Sequence, residues 1–149
     1  MAPPVEVPPA APLPAGTEAV VTIASIGVEL PVVPGGQSVI DQGVAAHYWA
    51  PGWEPAVTAG AAGTYWLAAH QSTHGEPFGT LPDVAIGAEV QVRAGDRTFI
   101  YTVTSKEVTD LHPGDESVYG TDPTASTILL QTCIGNQRLL VRGILTATL

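Results

Sequence analysis

Short runs of β-branched and aromatic residues, broken by glycine, proline or polar clusters, set the rhythm of this chain. Ala19-Val20-Val21-Thr22-Ile23-Ala24-Ser25-Ile26 and Val28-Glu29-Leu30-Pro31-Val32-Val33 flank Gly27, which predicts two short strands with a tight bend. Thr64-Tyr65-Trp66-Leu67-Ala68-Ala69 reads as a buried strand that ends at His70. Glu89-Val90-Gln91-Val92-Arg93 alternates, Ala94-Gly95-Asp96-Arg97 turns, and Thr98-Phe99-Ile100-Tyr101-Thr102-Val103-Thr104 alternates again, which is the pattern of a hairpin. Ser126 to Thr132 and Arg138 to Leu149 supply two closing strands around Gly135-Asn136.

The connecting segments carry other signals. Asp41 to His47 predicts a short helical turn with Asp41 as its cap. Tyr48 to Gly63 reads as a loop anchored by tryptophans, and Gln71 to Asp83 as a loop with one helical turn at Phe78-Gly79-Thr80-Leu81. Asp110 to Thr124 is a polar loop rich in Pro, Gly and Asp. Seven or eight short strands with few helices predict an all-β fold, either a barrel or a sandwich.

Ahead of the strands, Ala2 to Ala15 is proline-rich and has no periodic apolar pattern, so it favours extended polyproline II and need not pack. Residues 1–17 are therefore expected to form a disordered spacer and residues 18–149 a single folded domain. With 149 residues, 45% of them hydrophobic and 13% charged, the chain is long enough for one core. A net charge of −9 with only five Lys and Arg leaves too few cations for a phosphate-binding face, which excludes nucleic acid as the expected partner. No run reaches the roughly 18–20 apolar residues that span a bilayer. A membrane anchor is expected to lie upstream of the spacer.

The single cysteine, Cys133, cannot form an internal disulfide and is either buried filler or a reactive group. It ends Leu129-Leu130-Gln131-Thr132-Cys133, and Arg138 begins Arg138-Leu139-Leu140-Val141-Arg142-Gly143 after a four-residue turn, Ile134 to Gln137. A strand, a sharp turn and a returning strand bring a thiol and a permanent cation together. A thiol attacks a carbonyl as thiolate, and an ordinary cysteine with pKa near ~8.5 needs a partner that exchanges its proton. Histidine fills that role and can also protonate a departing amine. His70 is the candidate because a strand end positions it, whereas His74, His47 and His112 are expected in loops. Arg138 can hold a developing oxyanion. Arg142 is its rival, but four residues along a strand is about 13 Å, too far to serve the same atom. Zinc held by His70, His74 and Cys133 lacks a spaced ligand pair and is a weak alternative.

A strand-end histidine followed by Leu-Gln-Thr-Cys and Arg-Leu-Leu-Val-Arg-Gly resembles the sortases, the cysteine transpeptidases of Gram-positive cell surfaces, over roughly Val20 to Leu149. Ala69-His70-Gln71-Ser72-Thr73-His74-Gly75-Glu76-Pro77-Phe78 is similar to the histidine loop of the actinobacterial class E group, while the last strand looks more like class C. Ala69 stands where the family commonly has glycine. The resemblance implies a closed eight-stranded barrel with the site at one end. It implies Cys133 as nucleophile, His70 as general acid and base, Arg138 as substrate and oxyanion ligand, and Thr132 as a residue that shapes the substrate site. The implied reaction cuts an LPXTG or LAXTG sorting signal between Thr and Gly on a surface protein. A peptidoglycan precursor or pilin amine then takes the acyl group, on the outer face of the cell membrane, and neither metal nor other cofactor is expected. Two other readings stay open from the residues alone. One is an L,D-transpeptidase-like acyltransferase, although that family expects glycine before the cysteine. The other is a non-catalytic surface β module with an inert thiol.

Overall fold

The segment Ala19–Ile23 pairs on one side with Val28–Pro34 and on the other with Glu89–Ala94, and this double pairing closes the sheet on itself. The computed structural model describes residues 16–35, 44–48, 57–70, 78–110, 125–134 and 137–149, with backbone alone for Tyr48, Cys133 and Ile134. Eight strands run through them: β1 (Ala19–Ile23), β2 (Val28–Pro34), β3 (Ala45–Tyr48), β4 (Gly63–Ala68), β5 (Glu89–Ala94), β6 (Arg97–Thr109), β7 (Ser126–Ile134) and β8 (Gln137–Thr148). Their order around the barrel is β1-β2-β3-β4-β7-β8-β6-β5. The all-β expectation thus resolves to a closed barrel of eight strands, not a sandwich. The proline-rich stretch up to Ala15, the expected Asp41 cap, His74, His112 and most of the Asp110–Thr124 loop lie outside the described residues.

Local chemistry explains most of the element ends. The first β-branched run stops at Ile23, and Ala24–Ile26 form a 3-10 turn closed by Gly27 in the left-handed region, so the first strand is shorter than the sequence predicts. The hairpin forms as expected, but β6 continues five residues beyond Thr104, because β8 pairs with it from Phe99 to Thr109. The helical signal near Phe78 becomes a turn over residues 78–80 and a 3-10 turn at Leu81–Asp83. The helical turn predicted over Asp41 to His47 is corrected at its end. Ala45–Tyr48 is a strand, recruited by parallel pairing to β2 and antiparallel pairing to β4. Its alanines have little intrinsic strand preference, and tertiary pairing overrides that.

Inward positions alternate with outward ones, as the pleat requires. Val21, Tyr65, Leu67, Tyr101, Leu130 and Val141 are among the side chains that fill the interior, each at most 1% exposed. Burial of an aliphatic or aromatic side chain of this kind contributes about 1.5–3 kcal/mol. All six residues of β4 are buried, so this strand is covered on both faces. Its outward side chain Trp66, the outward Leu129 on the adjacent β7 and the outward Leu140 one strand further on in β8 are at most 3% exposed.

Strand directions define two poles. β4 and β7 are parallel, from Gly63↔Ser126 to Ala68↔Gln131, so both leave the barrel at the same pole. The chain enters β1 at the opposite pole. There Glu18 accepts from His47 Nδ1 at 2.7 Å and from the Tyr65 hydroxyl at 3.2 Å, while its own N–H donates to the Val32 carbonyl at 2.8 Å. Burial first, and then the Glu18 carboxylate, raise the Tyr65 phenol well above its ordinary range, so it remains a neutral donor. His47 therefore lies in a strand, in a structural network, and not in the loop the sequence predicts.

One close approach fixes a glycine in β8. A Cβ at Gly143 would lie 2.9 Å from the Thr102 carbonyl oxygen and 3.1 Å from Ile128 Cγ2, and the first of these is backbone that cannot turn aside. Gly143→Ala should lower unfolding stability by about 1–3 kcal/mol through overpacking. The check is a urea titration in which the midpoint falls while the slope stays constant.

Candidate active site

The strand β7 carries Cys133 and reaches Ile134, one residue past the thiol, before the chain turns. It pairs antiparallel with β8 through Thr132↔Leu139, Cys133↔Arg138 and Ile134↔Gln137. The pairing leaves two residues between the strands, so the connection is tighter than the four-residue turn the sequence predicts. Gln137 is also held from the side, its Nε2 donating to Asp110 Oδ1 at 2.9 Å just beyond the end of β6. Directly opposed residues of an antiparallel pair have Cα atoms about 4.5–5.5 Å apart. The Cys133 and Arg138 backbones are therefore as close as two strands allow.

On its other side β7 meets β4 in parallel, and the contact continues past the last paired residues. Ala69 N–H donates to the Gln131 carbonyl at 3.1 Å, and Thr132 Oγ1 donates to the Ala69 carbonyl at 2.8 Å. His70 is the next residue, and its carbonyl accepts from the Phe78 N–H at 2.9 Å. Three hydrogen bonds thus clamp the Ala69-His70 backbone, two from β7 and one from the returning chain at Phe78, itself fully buried. Ala69 takes the place where the resemblance expects glycine, and its methyl packs in the barrel core.

The result is a row across three neighbouring strands: His70 at the end of β4, Cys133 in β7 and Arg138 in β8. Strand spacing near ~4.8 Å makes the whole row about 10 Å wide. Alternation gives the three positions a common face. Trp66 and Ala68 in β4, Leu129 and Gln131 in β7, and Leu140 and Arg142 in β8 share their parity and point away from the barrel interior, whereas Leu67, Leu130 and Leu139 point into it. His70 and Arg138 are half-buried.

Arg142 pairs with Leu129, four rows from Cys133, so the register separates it from the thiol as the spacing argument requires. Thr132 has inward parity, is 2% exposed, and commits its hydroxyl to the Ala69 carbonyl. It acts on the row through the strand end that carries His70. Sequence reasoning passed over Gln131 and Trp66, which join on the outward face with Trp66 Nε1 donating to Gln131 Oε1 at 2.8 Å. Only the parallel register of β4 and β7 reveals that contact.

Comparison with known proteins identifies relatives of the whole fold. Residues 21–146 match the family described as the sortase domain. A curated relative, sortase SrtE1 of Streptomyces coelicolor, is 33% identical over 89 residues, which cover 58% of this chain and 25% of that protein. The match thus spans a quarter of the relative's length. Among solved structures, sortase E1 from Streptomyces coelicolor with a tripeptide in the active site superposes with a TM-score of 0.77 at 28% identity, covering 93% of each chain. Sortase E from Streptomyces avermitilis gives 0.75 at 28% identity, covering 89% of this chain and 90% of that one.

Thr132→Val keeps the shape and removes the donor to Ala69. It should cost about 1–2 kcal/mol by stranding a buried carbonyl, and Thr132→Ser should restore most of it. Thermal unfolding of the three proteins side by side checks this.

Proposed function

Because the chain belongs to the sortase family, we propose that it is a cysteine transpeptidase in which His70, Cys133 and Arg138 act together on a peptide sorting signal. The observation that carries this reading is the row itself, with Cys133 directly opposite Arg138 and one strand away from the clamped His70. Family membership favours it over an L,D-transpeptidase or a non-catalytic β module.

The Cys133 thiolate attacks the carbonyl carbon of a threonine in an LPXTG- or LAXTG-like segment. As the tetrahedral intermediate forms, the Arg138 guanidinium donates to the developing oxyanion, and its charge persists at every working pH. The bond from threonine to glycine breaks, and His70 delivers a proton to the departing glycine nitrogen. A thioester on Cys133 remains. An incoming amine attacks that carbonyl, gives up a proton to His70, and expels the thiolate, which regenerates the starting state. Thr132 serves this cycle by fixing the backbone that carries His70.

The acyl donor in this reading is a surface protein with a C-terminal sorting signal. The acceptor is an amine of a peptidoglycan precursor or a pilin. Action belongs at the cell surface, with a membrane anchor ahead of the proline-rich stretch. The entry of the chain at the pole remote from His70 supports that geometry, since a tether there leaves the site turned away from its own attachment.

Peptides carrying LPXTG or LAXTG, incubated with an amine nucleophile and followed by mass spectrometry, should yield the acyl fragment ending in threonine joined to that amine. Cys133→Ala should abolish the product, and Arg138→Lys should reduce kcat by roughly 10²–10³, the usual loss for one oxyanion donor. Full turnover by Cys133→Ala would overturn the assignment.

A further inference from the structure

The first twelve residues use only Met, Ala, Pro, Val and Glu. Directly ahead of the barrel the composition changes to Leu13-Pro14-Ala15-Gly16-Thr17, which holds the one leucine, the one glycine and the one threonine that precede Glu18. A spacer needs extension, and proline and alanine already supply it. Spacing alone therefore does not call for this set. Leucine, proline and a third residue followed by glycine and threonine have the composition of an LPXTG signal with its last two residues transposed.

The structure fixes where that segment is attached. Gly16 is exposed, and two residues later Glu18 is fastened to the barrel. Its N–H donates to the Val32 carbonyl, and its carboxylate accepts from His47 Nδ1 and from the Tyr65 hydroxyl. Both of those side chains are at most 4% exposed, so the anchor reaches into the protein. Gly16 stands no more than about 7 Å of chain from Glu18. From Ser126, at the pole where the chain enters, β7 runs seven residues, about 23 Å, to Cys133. Gly16 therefore cannot meet the thiol of its own copy, and the row it can meet belongs to another.

Building on the transpeptidase reading above, we propose that Leu13–Thr17 is a non-productive mimic of the sorting signal that occupies the His70–Cys133–Arg138 row of a second copy. The partner is this same chain, joined head to tail, the entry pole of one barrel against the Cys133 pole of the next. Leu13 and Pro14, five and four residues ahead of the anchor, supply the recognition. Reaction fails for two reasons. The residue offered to the thiol is glycine where the signal has threonine, and its carbonyl lies two residues from a barrel that blocks approach to the roughly 3–3.5 Å that attack requires. A true sorting signal displaces the mimic and releases the enzyme.

A synthetic peptide of residues 9–18 is added to wild-type full-length protein turning over a sorting-signal peptide. It should inhibit competitively, raising KM with kcat unchanged, and its inhibition constant should lie within about a hundredfold of the KM of the signal, the range that one missing side chain covers. Leu13→Ala in the peptide should weaken inhibition about tenfold. The peptide carrying Gly16→Thr with Thr17→Gly, which restores the order of the signal, should be cleaved between those two residues. In the full chain, a photoreactive leucine at position 13 should give a two-copy crosslink that excess sorting signal suppresses. No inhibition by the natural-order peptide, inhibition indifferent to Leu13→Ala, or a restored-order peptide left uncut overturns the proposal. So does inhibition by peptide with no crosslink between copies. Absence of turnover on every sorting-signal peptide overturns the transpeptidase reading as well, whereas turnover without inhibition overturns this proposal alone.

Discussion

The parallel pairing of β4 with β7 is the constraint from which the site follows. Sixty-three residues separate Ala68 from its partner Gln131, and only a parallel register sends both strands out of the barrel at one pole. Had the two strands run antiparallel, His70 and Cys133 would stand at opposite ends. β8 then needs nothing more than a tight return to bring Arg138 across from Cys133. One non-local pairing and one local hairpin therefore assemble three chemical groups from distant parts of the chain. Barrel closure between β1 and β5 makes that register hard to slip, since a shift of one residue would turn every inward side chain of β4 outward.

Burial on both faces of the central strands is the second condition. The interior is filled by Tyr65, Leu67 and Leu130, and the outward side by Trp66, Leu129 and Leu140, so the strands that carry the His70–Cys133–Arg138 row are gripped from two directions. The Ala69-His70 backbone adds its own three hydrogen bonds. In the proposed reaction His70 serves both a thiol and a leaving amine, and such rigidity suits that role, because misplacement by about 1 Å costs catalysis heavily. At the remote pole, Glu18, His47 and Tyr65 tie the entry of the chain to β3 and β4.

Much of this was legible in the residues. The alternating run from Glu89 to Thr104 is a hairpin in any context, and Thr-Cys followed closely by an arginine-led apolar strand already brings Cys133 near Arg138. His70 could be chosen over His74 because an apolar run ends on it. What the pattern could not give was non-local. Ala45–Tyr48 carries little strand preference of its own and becomes β3 only because β2 and β4 leave a gap beside them. For the same reason His47 read as an idle loop residue until Glu18, 29 positions away, met it. The Trp66–Gln131 contact was likewise hidden, since neither residue signals a partner 65 positions distant. Thr132 was singled out by resemblance, but its grip on Ala69 is visible only in the fold.

The central claim is that the thiol in this row is acylated by peptide. Its most direct measurement omits any amine acceptor: the protein is mixed with a sorting-signal peptide, quenched in acid, digested, and mapped by mass spectrometry. The account predicts the fragment carrying Cys133 heavier by the acyl group ending in threonine, and loss of that adduct when an amine is added before the quench. Peptide cleaved while Cys133 stays unmodified, or an adduct on any other residue, would contradict it.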